Sequence, residues 1–172
     1  MADDPVRILI ALCGNADAGD DALGCVVGGR LQAGPPVGAE VLVLGQRPAA
    51  LLDHLPGRAG LCIVDAVHWP GRAAGEIVEL DWSEAEPGML VNDDPLSSHG
   101  LSIGQQLRLA AALGLLPPRV ALIGLVAGEV GLGRGLGDPL RRRVDELVRR
   151  VERWCVPVGA GRAPDPGGPR DA

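Results

Sequence analysis

Two aspartates and one histidine stand where apolar runs give way to loops: Asp21, Asp65 and His99. Asp21 closes the polar stretch Gly14-Asn15-Ala16-Asp17-Ala18-Gly19-Asp20-Asp21, which follows the apolar run at 8–13. Asp65 falls near the end of the almost wholly apolar run 60–67, and His99 lies in Ser97-Ser98-His99-Gly100. Parallel strands deliver their carboxyl ends to one edge of a sheet, so residues this far apart in sequence can meet there. Two carboxylates and an imidazole form a three-donor set for a borderline divalent cation, with coordination positions left open. The same carboxylates can instead take a proton from water as general bases. A carboxylate at the end of a buried strand is costly unless it is paired or bound to a metal, which singles out Asp65.

The neighbouring polar residues have simpler readings. Asp20 is placed as an N-cap, its carboxylate accepting from an unpaired first-turn N–H. Asp21 then falls in that first turn, where the helix dipole favours negative charge. Asp17 reads as a solvated loop acid, His54 and His68 as surface residues, and Asn15 as a turn residue that can also donate to substrate. Gly14 reads as a point of close backbone approach. Ser97 and Ser98 suggest a nucleophile only weakly, since no GxSxG elbow surrounds them, and helix capping accounts for them. Cys13 and Cys62 fall in apolar runs and read as small core side chains, Cys13 beside the acidic loop.

The elements that must position these groups follow from periodicity. Residues 6–13 form a continuous apolar run, the mark of a strand covered on both faces. Residues 21–32 carry Leu23, Val26, Val27 and Leu31 at helical spacing and stop at Gly34-Pro35-Pro36. A second strand is expected at 40–44, a short helix at 47–55, a third strand at 60–67 and a more exposed edge strand at 75–80. Residues 84–98 form a long irregular segment, of the kind that is usually functional. A helix over 102–113, a buried strand over 119–126 and a closing helix over 138–155 complete the set. The glycine-dense stretch 128–137 lacks both GxxxxGK[ST] and GxGxxG and reads as a loop, not a phosphate cradle. This order implies an α/β three-layer sandwich: a mostly parallel, twisted sheet of about five strands flanked by helices. It occupies a single domain over 1–156, followed by a Pro- and Gly-rich tail at 157–172 expected to be disordered.

With 22 acids, 16 bases and a net charge of −6, the chain lacks the basic footprint that nucleic acid or an anionic membrane would demand. No run approaches the roughly 20 apolar residues of a membrane span. The acidic N-terminus is unlike a signal peptide, and the four cysteines include no CxxC pair. A reduced, cytoplasmic setting is therefore expected.

Together these motifs resemble the hydrogenase maturation endopeptidases. The matching pieces are Gly14-Asn15 with Asp20-Asp21 and Gly24, then Ile63-Val64-Asp65-Ala66, then Ser98-His99-Gly100-Leu101, with 120–124 and Gly135-Leu136 further on. The resemblance runs from about residue 6 to residue 151. Asp21 stands where many members carry glutamate, and Cys13 where they carry a small residue or glycine. It implies removal of a C-terminal extension from the large-subunit precursor of a nickel–iron hydrogenase by a chain expected to act as a monomer. Nickel would arrive with that substrate and be recognised by Asp21, Asp65 and His99, with Asp21 and Asp65 as the catalytic candidates. Two other readings stand beside it: a non-catalytic, nickel-dependent binding or checkpoint module on the same fold, and a nucleotide- or phosphate-binding α/β protein. The acidic loop after the first strand disfavours the last, since it would repel phosphate.

Overall fold

The computed structural model describes residues 7–82, 103–128, 131–133 and 135–156. Five strands, β1 (Ile8–Cys13), β2 (Ala39–Gly45), β3 (Gly60–Val67), β4 (Ile77–Asp81) and β5 (Arg119–Val126), form one sheet in the order β2-β1-β3-β5-β4. β2, β1, β3 and β5 are parallel, and β4 joins β5 antiparallel as an edge. The helices are α1 (Leu23–Ala33), α2 (Ile103–Ala112), α3 (Asp138–Arg141) and α4 (Val144–Cys155), with 3₁₀ turns at Gly19–Ala22 and Pro48–His54.

The alternation of strand side chains divides the core into two layers. Ile8, Ile10 and Leu12 of β1 point with Cys62, Val64, Ile123 and Leu125 toward α1, α3 and α4. Leu9, Ala11 and Cys13 point the other way, with Leu61, Ile63, Val120 and Leu122, against Leu51 of the second 3₁₀ turn, Leu55 just after it and Leu107 of α2. Every β1 residue is buried, which accounts for a sequence that is apolar without a break. The three-layer α/β sandwich implied by the sequence is the observed architecture.

Two local expectations are corrected. The helix after β1 begins two residues later than its spacing suggests, because Asp20 and Asp21 belong to a separate 3₁₀ turn. The closing helix is in two pieces, α3 and α4, because the chain tightens between them: the Arg143 N–H donates to the Leu140 carbonyl three residues back, a 3₁₀ bond. Both pieces keep their apolar face, since Leu140, Val144, Leu147 and Val151 are all buried. Residues 84–98, His99 and the tail at 157–172 lie outside the described residues.

Candidate active site at the carboxyl ends of β1 and β3

The sheet order sets the location. From β1 the chain crosses through α1 to β2 on one side; from β2 it returns past β1 to β3 on the other. The strand order therefore reverses between β1 and β3, and open α/β sheets bind ligands at the carboxyl ends of strands at such a point. Pairing between the two strands ends at Leu12 and Val64, and beyond it Cys13 is in register with Gly45 of β2 instead. Asp65 is the next residue on β3. It has a partner in Gly124 of β5 but no longer one on β1, and it is half-buried.

Local backbone geometry brings Asp21 to the same place. Gly14 turns the chain out of β1 with φ +130°, and a Cβ there would lie 2.0 Å from the Asp21 carbonyl oxygen. Only glycine fits so close an approach. The next amide, Asn15 N–H, donates both to that carbonyl at 3.0 Å and to Asp21 Oδ2 at 2.9 Å. The Asn15 side chain closes the loop by accepting from Asp17 N–H at 3.1 Å. Asp21 is thus fixed at backbone and side chain against the end of β1. Opposite it, Gly124 lets β5 approach β3 where a Cβ would lie 2.3 Å from the Asp65 carbonyl oxygen.

Asp65 feels the charge of Asp21. Burial, then the negative charge of Asp21, push the Asp65 carboxyl up from 3.8 to about 7, against the opposing effect of the Ala66 N–H. That amide donates to Asp65 Oδ1 at 2.8 Å. Half-buried Asp65 therefore exchanges its proton near neutral pH, as a general acid or base does. Cys13 feels both carboxylates: burial, then the charges of Asp65 and Asp21, hold its thiol protonated and well above the ordinary range. It lines the site as an inert core side chain. Cys25 is also raised, first by partial burial and then by Asp21.

Of the three residues expected to converge, Asp21 and Asp65 are brought together, while His99 lies outside the described residues. Among the described residues no group of three His, Cys, Asp or Glu side chains is arranged to hold a metal. His68 is exposed and His54 lies near Glu40 on the surface, as expected.

The assignment that fails is the N-cap at Asp20. Asp20 is only 1% exposed; its Oδ2 accepts from Gly128 N–H at 2.8 Å and its Oδ1 from Gly137 N–H at 2.8 Å. These amides end the glycine-dense loop on either side, 108 and 117 residues further along the chain. A buried carboxylate is stable when so bonded, and a pair of long-range amide donors satisfies it better than a single helix-start N–H. The loop is also tied at its centre, where Gly133 N–H donates to the Asp17 carbonyl at 2.9 Å. These two amides, which could otherwise face an anion, are occupied from within.

Comparison with known proteins agrees with this architecture. The family model of HycI hydrogenase maturation proteases matches residues 29–154, a span that contains Asp65 and begins after Asp21. No curated protein matches the chain in sequence. The hydrogenase maturating endopeptidase HybD of E. coli superposes with a TM-score of 0.73 at 24% identity, over 84% of this chain and 89% of that one. The [NiFe] hydrogenase maturation protease HybD of Thermococcus kodakarensis gives 0.68 at 26% identity, over 86% and 98%. HycI of Thermococcus kodakarensis KOD1 gives 0.63 at 22%, over 87% and 92%. The family model matches most of the length of this chain, which belongs to the hydrogenase maturation protease family.

Proposed function

We propose that this protein is the endopeptidase that removes the C-terminal extension of a nickel-loaded large-subunit precursor of a nickel–iron hydrogenase. The observation that carries the reading is the meeting of Asp21 and Asp65 at one sheet edge, where burial and then the Asp21 charge raise the Asp65 carboxyl to about 7 in the metal-free protein. In a family of hydrogenase maturation proteases, such a pair suits the hydrolysis of a peptide bond.

In this reading Asp65, as carboxylate, accepts a proton from an attacking water. The water oxygen bonds to the scissile carbonyl carbon. As the carbon–nitrogen bond breaks, Asp65 returns the proton to the departing nitrogen. The products are the mature chain with a new carboxyl terminus and the released extension. Asp21, held by the Asn15 amide, supplies a fixed negative charge beside Asp65 and a second oxygen donor.

The nickel is part of the substrate. Asp21, Asp65 and His99 are the residues that would meet it, and their chemistry suits it: two carboxylates that repel each other are relieved by a cation, and imidazole is a good nickel ligand. Bound there, the metal supplies positive charge that can polarise the scissile carbonyl. The protein works in the cytoplasm as a monomer. No described helix is long and apolar enough to cross a membrane.

The test is intact-mass analysis of nickel-loaded precursor incubated with the wild-type protein or with His99→Ala. Loss of one discrete C-terminal peptide, with wild type only and only from nickel-containing precursor, is the expected result. Precursor that stays intact yet co-purifies with the protein would replace the protease with a nickel-dependent binding module. Neither cleavage nor binding would remove the proposal.

A further inference from the structure

We infer that Asp20 is a positioning residue for the reaction: by clasping both ends of the glycine-dense loop, it holds the turn that aims Asp21 at Asp65. The inference rests on the endopeptidase reading for its kinetic consequence and on geometry alone for the rest.

Asp20 and Asp21 are adjacent in one 3₁₀ turn, and their side chains are anchored to different parts of the fold. Asp21 reaches back to the Asn15 amide at the end of β1. Asp20 reaches across to Gly128, two residues past β5, and to Gly137, the residue before α3. Strand β5 also carries Gly124, the partner of Asp65. The chain of contacts is therefore closed: Asp21 is covalently joined to Asp20, Asp20 bonds the segment leaving β5, and β5 pairs with the strand that bears Asp65. A four-residue 3₁₀ turn with no side-chain cap of its own gains its fixed orientation from these outside anchors. Glycine suits both contact points, since a Cβ on Gly137 would lie 2.8 Å from Asp20 Oδ1 and one on Gly128 would lie 2.8 Å from Ala74 Cβ.

Asp20→Asn keeps the size of the side chain and leaves one amide facing an NH₂ group in place of an acceptor. It is compared with Leu147→Ala, a core truncation in α4 far along the chain from this turn, chosen to lower global stability without touching the site. Two readouts are taken. Native-state hydrogen exchange follows the Asn15 amide, which bonds Asp21 and not Asp20. Steady-state cleavage of nickel-loaded precursor separates kcat from KM.

In Asp20→Asn, protection at Asn15 is expected to fall beyond the global change seen in Leu147→Ala. The kcat is expected to fall about tenfold to a hundredfold, the effect of a small misplacement of a reacting group, with KM little changed. Leu147→Ala should retain kcat. If Asn15 protection in Asp20→Asn changes only as much as in Leu147→Ala, Asp20 is merely structural and the inference is overturned. A wild-type protein that cleaves nothing would instead overturn the endopeptidase reading, while the exchange result would still decide the role of Asp20. Should Asp20→Asn not fold, the wild-type protein alone decides: a single positioning unit requires Gly128, Gly137 and Asn15 amides to exchange with one common opening free energy. Unequal values would refute it.

Discussion

Replacing Asp65 by asparagine should stabilise the metal-free protein at alkaline pH and leave it inactive. The difference lies in proton affinity. In the unfolded chain the carboxyl titrates near its ordinary value of 3.8, and in the folded protein near 7, because burial and then Asp21 oppose its charge. Below about pH 4 both states hold the proton and the site costs nothing. Between pH 4 and 7 the folded state binds more protons than the unfolded one, so stability falls as pH rises, by about 1.4 kcal/mol per pH unit. Above pH 7 the full cost is present, on the order of 4 kcal/mol for this rise, reduced to about 2–4 kcal/mol by water reaching the half-buried group.

Asparagine is neutral throughout and can still accept the Ala66 N–H. The gain of Asp65→Asn over wild type should therefore grow through this window and level off above it. For a domain of this size it corresponds to roughly 5–10 °C in melting temperature at pH 8. Thermal melts of both proteins, metal-free, at intervals from pH 4.5 to 8.5 are the assay. A melting difference that is flat across the range, or a variant that is less stable at pH 8, would rule out a buried-charge cost at Asp65. The combination of higher stability with lost cleavage is the trade-off expected where a site keeps a destabilised charge for its chemistry.

Gly124→Ala places a Cβ 2.3 Å from the Asp65 carbonyl oxygen and 2.9 Å from Val67 Cγ2, so β3 and β5 must part. A loss of about 1–3 kcal/mol is expected in denaturant unfolding, together with weakened cleavage. Leu147→Ala, fully buried in α4, should cost about 2–5 kcal/mol in the same assay by leaving a cavity. In the native protein, alkylation followed by peptide mass mapping should reach half-buried Cys25 first and leave Cys13, Cys62 and Cys155 unmodified until unfolding. All three of the protected thiols are buried and raised above their ordinary value.

The parts of this protein that depend on short-range pattern were legible in the sequence. The unbroken apolar runs of β1 and β3 identify buried parallel strands, and parallel strands imply a shared carboxyl edge, which is why Asp21 and Asp65 could be paired across 44 residues of chain. Gly14 was legible as a close approach because an apolar strand stops there at Gly-Asn. The role of Asp20 was not. Its partners are backbone amides on glycines more than a hundred residues away, and neither periodicity nor a local motif records a contact of that kind. An adjacent acid pair carries only the hint that two like charges in one short turn need separate partners. The break between α3 and α4 was hidden for a different reason: the apolar stripe continues across it, and one tightened turn leaves that stripe intact.

Joint action of Asp21 and Asp65 on one peptide bond is what the proposed cleavage depends on. It is tested most directly by a double-mutant cycle on cleavage of nickel-loaded precursor, with Asp21→Asn, Asp65→Asn and the double variant measured by initial rate. Residues that act as one unit are strongly non-additive, so the double variant should be about as slow as the slower single variant. Losses that multiply, each independent of the other, would contradict a shared site.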